Sequence, residues 1–202
     1  LGYAVVGPRP TSAREDFEDA VAISRDLGDR RILFASLAGL SLACIRLGDL
    51  GAGRRAVLEA IALGDASGER YNNAMNLLAL GLIEAREGDP DSAGRRLAEA
   101  LRQLHAAGGH GGLSVAFDVL ATLALERGEP ESGVRLAAAA DRLRREVGGG
   151  PSTAIILLEE PLDLARRTMI PADFELALAA GQGLTTEEAV TLALEIAENG
   201  IA

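Results

Sequence analysis

Between Ile32 and Leu47 the apolar side chains fall at Ile32, Leu33, Leu37, Leu40, Leu42, Ile45 and Leu47, spaced to wind round a helix with little polar face. The following stretch, about 51–66, sets Arg54, Arg55 and Glu59 against an apolar stripe and predicts an amphipathic helix. The same alternation returns downstream, where Arg95, Arg96 and Glu99 are expected to point outward from a second amphipathic segment. The pattern predicts helix pairs at 31–47 with 51–66, 70–87 with 90–106, and 111–127 with 130–147. Residues 11–27 match the second member of such a pair. A first helix that is apolar on several sides needs neighbours on both flanks, as a stack supplies.

The periodic segments are interrupted at Gly28, Gly48, Gly68, Gly88, Gly108, Gly128 and Gly148, one glycine every 20 residues. Glycine tolerates the left-handed backbone that follows a helix C-terminus, so the series reads as a row of helix stops. Alternate glycines differ in their neighbours, which makes the repeat 40 residues long. In that register Ala20, Ala60, Ala100 and Ala140 coincide, as do Leu37, Leu77 and Phe117. Pro90 and Pro130, each behind an acidic residue, mark helix starts, because proline's fixed φ suits the first helical position.

The series ends at Gly148. Pro151 is expected to open a helix over 152–167, and Pro171 a shorter one around 172–180. Thr185 followed three residues later by Glu188 is a capping-box pattern, which predicts a last helix to about Glu198. These elements read as a C-terminal cap over residues 151–202, continuous with repeats over residues 1–150. At the other end Leu1–Val6 echoes part of a first helix, and the chain begins on Leu1, which predicts upstream repeats in a longer parent.

Composition sharpens this picture. Aromatic residues are 3% of the chain while 48% is hydrophobic, so Ala and Leu must carry the core. The formal charge is −10, of which residues 151–202 hold two basic against nine acidic residues. With no basic stripe and no lysine, the segment is not expected to bind nucleic acid. Cys44 is the single cysteine, which excludes an internal disulfide and places it as a small core residue. No apolar run approaches the roughly 18 residues of a membrane span, and no signal pattern opens the chain; the expectation is a cytoplasmic protein with no membrane contact.

Leu80-Gly81, Gly88-Asp89, Ala93, Leu97 and Ala100 fall at spacings that resemble the tetratricopeptide repeat. The resemblance covers about 1–147, with departures at Ser41, Ala121, Gly53 and Gly133. It implies an all-α, right-handed solenoid of antiparallel helix pairs with a C-terminal helical cap. The run Arg135–Arg144, a Gly/Pro break, and then Gly183–Val190 resembles the end of large actinobacterial transcriptional regulators of the LuxR and AfsR-like ATPase type. That resemblance implies an interaction or sensor region of a signalling protein.

Candidate chemistry is sparse. Gly108–Gly112 lacks the Lys and Ser or Thr of a phosphate-binding loop and reads as a turn between repeats. His105 and His110 lack partners at metal-ligand spacing, no nucleophile motif occurs, and the adjacent Glu159 and Glu160 point to different faces. The expectation is no enzyme, no cofactor and no metal. What remains is a concave groove lined by the first helices, with Arg46, Tyr71, Asn72, Asn73, Asn76, Arg86, Asp118 and Thr122 as its polar residues. Amides and guanidiniums in that setting hydrogen-bond an extended peptide or a carboxylate. The expected partner is a protein or peptide, other domains of the parent chain included; an oligomer is compatible with the sequence. The alternative is a sensor whose groove closes on a small inducer or peptide.

Overall fold

A computed structural model describes residues 10–68, 70–148 and 161–199, and all of their regular structure is helical. The helices are α1 (Pro10–Leu27), α2 (Arg30–Arg46), α3 (Leu50–Ser67), α4 (Arg70–Arg86), α5 (Pro90–Ala106), α6 (His110–Glu126), α7 (Pro130–Glu146), α8 (Pro161–Thr168), α9 (Pro171–Gln182) and α10 (Thr186–Glu198). The expected helix remnant at 1–6 and the start of the helix expected at 152–167 lie outside the described residues.

The local chemistry at the turns explains the regular spacing. All seven glycines of the series have positive φ, from 67° at Gly28 to 93° at Gly148. At Gly48 the chain folds back so that Gly48 N–H donates to the Ile45 carbonyl and Asp49 N–H to that of Cys44. The same pair of bonds recurs at Gly88 and Gly128. Carbonyls left over at the helix end are thereby satisfied. The acidic residue after the glycine then begins the next helix: the Asp49 carboxylate accepts from Ala52 N–H, and that of Asp89 from Ser92 N–H. These bonds hold both carboxyls below the ordinary carboxylate range, with Arg14 assisting at Asp49. One dipeptide thus both stops a helix and starts another.

Each helix packs on its sequence neighbour from α1 to α7, and the first helices α2, α4 and α6 also touch in series. The main core runs through α4–α7, with Leu78, Leu82, Leu97, Leu101, Phe117, Leu120 and Leu136 among its buried members. Ala60, Ala100 and Ala140 are fully buried. A smaller cluster of Val21, Leu37, Ala56 and Ala60 joins α1, α2 and α3. The expectation that every first helix is covered on both flanks holds for α4 and α6. It does not hold for α2, where Ile32 and the C-cap Leu47 stay exposed, because the described neighbours of α2 are only α1, α3 and α4.

After α7 the packing changes. Helices α8 and α9 lie against α7, and Phe174, Ala177 and Ala165 close over Val134. Helix α9 approaches so closely that a Cβ at Gly181 would stand 2.3 Å from the Arg135 carbonyl oxygen. Helix α10 turns back over α5, α6 and α7, and its Ala189, Val190, Ala193 and Ile196 enter the main core. Thr185 caps it through the expected reciprocal bonds with Glu188.

Candidate functional site

A cleft of about 670 Å³ opens between α3 and α5, floored by Leu77 of α4 and Ile61 of α3. Its corner is set by Asn73, near the start of α4. The Asn73 amide nitrogen donates to the Ile61 carbonyl at 3.1 Å and to Asp65 Oδ1 at 2.7 Å, which ties α4 to the last turns of α3. Asn73 fits because Gly64 lies beneath it, where a Cβ would come within 2.1 Å of its Oδ1. Two acceptors on the nitrogen side fix the orientation of the amide. Asn73 is only 5% exposed, and its Oδ1 is enclosed against Gly64 with no hydrogen-bond partner among the described residues.

The opposite wall is a polar face of α5: Arg96, Glu99 and Gln103, spaced to share one side of the helix. Gln103 Nε2 donates to Glu99 Oε1 at 3.2 Å. Arg96 Nε lies 3.7 Å from Oε1 of Glu84, a carboxylate 4% exposed that Arg54 also approaches at 3.9 Å. At the rim the Tyr71 ring passes over the start of α6. A Cβ at Gly112 would stand 2.9 Å from its hydroxyl, and one at Gly109 3.2 Å from its ring. The glycines at 109 and 112 therefore make room for an aromatic side chain.

The eight residues expected to line a groove are spread over several places. Tyr71 and Asn73 meet in the cleft, and Asn72 beside them is exposed. Asn76 is buried with no partner for its Nδ2 among the described residues. Arg46 is exposed at the end of α2, and Arg86 reaches Glu126 at 3.5 Å, linking the ends of α4 and α6. Asp118 and Thr122 are enclosed: Asp118 is 1% exposed and pairs with Arg144 of α7 at 2.5 Å, while the Thr122 hydroxyl donates to the Asp118 carbonyl. Asp65 and Gln103 gave no signal in the sequence, and Glu99 was expected only as an outward-pointing charge. The available signal was Tyr71 with Gly109 and Gly112 one repeat-start later.

Among the described residues no group of three or more His, Cys, Asp or Glu is placed to hold a metal. His105 lies 3.4 Å from Glu187 and His110 3.6 Å from Glu146. Cys44 is buried, and burial pushes its thiol above the ordinary value. No helix among the described residues is long and apolar enough to cross a membrane. Fold and cleft together define a helical-repeat protein, all-α, with consecutive helices packed neighbour to neighbour. Compared with protein-family models, curated proteins and solved structures, the chain matches none.

Proposed function

We propose that this chain is a non-catalytic interaction module, a right-handed tetratricopeptide-like solenoid that presents the α3–α5 cleft to a polypeptide partner. The observation that carries this reading is the cleft itself: its walls offer amides, carboxylates and guanidiniums, and its floor is apolar. An extended chain is held in such a place by hydrogen bonds to its backbone and by pockets for its side chains. We place the module in a cytoplasmic transcriptional regulator or other signalling protein, the partner being another protein. A second reading, a sensor for a small inducer, is favoured by the cleft volume, which falls within the roughly 300–1,000 Å³ of small-molecule sites.

The test is selection of random peptides displayed against the intact chain, followed by titration of the enriched synthetic peptides. A consensus that binds saturably and loses affinity with Tyr71→Ala supports the module. Absence of enrichment over repeated rounds overturns it. Thermal stabilisation by one member of a sugar and metabolite panel, with no peptide bound, would favour the sensor.

A further inference from the structure

Helix α9 is apolar on two sides. Phe174, Ala177 and Gly181 are buried, and Phe174 and Ala177 close over Val134 of α7. Ala172, Leu176, Ala179 and Ala180 are exposed, and they fall at i, i+4, i+7 and i+8, the spacing of one helical stripe. Leu176 is 74% exposed, and Ile170, at the start of the helix, is 67% exposed. Helices α4 and α6, also apolar round most of their circumference, are covered on both flanks. Among the described residues α9 packs on α7 and α8, and its outer stripe is left open.

Beside this stripe the surface is hollow. A cleft of about 400 Å³ opens where the α6–α7 turn meets α8 and α9, with Leu125, Pro130, Leu164, Met169 and Ile170 as its apolar lining. Two carboxylates, Glu126 and Asp173, also line it, and among the described residues no cation does. Glu129 and Glu131 flank Pro130 on the turn. Elsewhere on the solenoid an exposed carboxylate takes an arginine, as Glu59 takes Arg25 at 2.6 Å. Here Glu126 has Arg86 at 3.5 Å, but Asp173, Glu129 and Glu131 make no ion pair among the described residues. The arginines nearest in sequence are engaged elsewhere. Arg127 donates to the Ile196 carbonyl at 2.8 Å, Arg167 to that of Asp163 at 3.1 Å, and Arg166 lies over the Phe174 ring.

We propose that this end of the solenoid docks a basic amphipathic helix of a partner protein, with its apolar side chains in the cleft and along Leu176 and its Lys or Arg residues beside Asp173 and Glu126. A helix suits the surface because the open stripe on α9 has helical spacing, and its alanines let a second helix axis approach to the usual distance of about 8–10 Å. An apolar groove of this kind is dried by the anchors of its partner, and the carboxylates at its edge select the sign of the partner's charge. A second copy bringing the same face would set carboxylate against carboxylate, which is unfavourable. This surface is separate from the α3–α5 cleft, and its occupancy does not depend on the function proposed there.

The test uses the intact chain, labelled with ¹⁵N, and three synthetic helices of about 18 residues, longer than the roughly 12–15 below which isolated helices are marginal. One carries Leu at i, i+3, i+4 and i+7 with Lys on the opposite face. The second replaces each Lys by Glu, and the third scrambles the order of the first. The expected result is saturable binding of the first, with shifts confined to residues 125–131 and 164–180. The acidic and scrambled helices should bind at least about tenfold more weakly. Leu176→Arg, at a side chain already exposed, should weaken the basic helix about tenfold, the loss of one leucine buried in the complex. Asp173→Asn should weaken it about threefold. Glu195→Gln, exposed on α10 and not part of the cleft lining, should leave binding unchanged. Equal binding of the acidic or scrambled helix, indifference to Leu176→Arg, equal effects of Glu195→Gln and Asp173→Asn, or shifts confined to residues 61–77 and 96–107 overturns the proposal. So does self-association that rises with concentration and is lost with Arg31→Glu, because Arg30, Arg31 and Ile32 form an exposed basic and apolar stretch that a second copy would bring.

Discussion

Helices α2 and α6 hold the same place two repeats apart, yet they live in different surroundings. Along α6 every residue from Gly112 to Ala124 is buried, while in α2 burial is confined to Ser36, Leu37, Ser41 and Ala43–Ile45. Their apolar content does not account for the gap, since both are apolar round most of their circumference. Neighbours do: among the described residues α6 is enclosed by α4, α5, α7, α8 and α10, α2 by α1, α3 and α4. In a stack, burial is a property of position as much as of sequence.

The largest test of that comparison is to give α6 the surroundings of α2. Ending the chain after Gly183 removes α10 and uncovers α5–α7, and the buried apolar side chains it carries amount to a loss on the order of 5 kcal/mol. Urea denaturation should show a lower midpoint together with a smaller slope. An unchanged midpoint would mean that α4, α5 and α7 suffice to hold α6. A finer test exchanges the matched residues Phe117 and Leu37, 0% and 2% exposed. Phe117→Ala should cost about 3–5 kcal/mol and Leu37→Ala about 2–3 kcal/mol, since the smaller cluster can relax towards solvent. Equal losses measured in the same denaturant would erase the distinction.

Ion pairs make the contrast again at smaller scale. Arg144 and Asp118 sit inside the α6–α7 pair at the register of Leu104 and Leu78, side chains 11% and 1% exposed. Arg144→Ala should cost about 3 kcal/mol, because a buried carboxylate is left without its cation. Arg25→Ala, on the exposed pair with Glu59, should cost under about 1 kcal/mol. A double-mutant cycle at each pair measures the difference. The smallest effect is expected at the α10 cap. Thr185 N–H and hydroxyl bind the ionised Glu188 carboxylate and lower its pKa from the ordinary 4.5. The unfolded chain then binds more protons over that interval, so the stabilisation is complete above pH 4.5 and is lost as pH falls through the lowered folded value. Protection of the α10 amides, taken relative to their intrinsic pH-dependent exchange rates, should fall over that range, and Glu188→Gln should remove that change. Protection in α10 that is flat with pH would mean the cap adds nothing there.

The helices and their limits were legible because their signals are local. Gly48 and Asp49 stop one helix and start the next using atoms within five residues. Thr185 and Glu188 announce their cap in four residues. The site was less legible. Tyr71 and Asn73 could be singled out as polar residues on an apolar helix, but Asp65 and Glu99 belong to different helices, and each alone reads as an ordinary solvated carboxylate. Glu84 is the sharper case: an acidic residue inside an apolar helix gives no sign that Arg54 and Arg96 converge on it from two other helices. The enclosure of Asp118 and Thr122 depends likewise on Arg144 and on the depth of α6 in the stack. Expectation placed those two beside a partner; packing placed them beneath α7.

Helix α10 has a consequence for how the chain folds. Neighbouring helices meet over short sequence distances, and such contacts close early and independently along an array. The bond from Arg102 to Glu198 closes a loop of 96 residues, and that from Arg127 to Ile196 one of 69. Contacts so remote carry a larger loop-closure entropy and form only once Ile196 and Glu198 are available. The first seven helices can therefore assemble during synthesis, and the arrival of α10 converts a row of semi-independent pairs into one cooperative unit. Unfolding monitored at Leu37 and at Phe117 should coincide with α10 in place and separate without it.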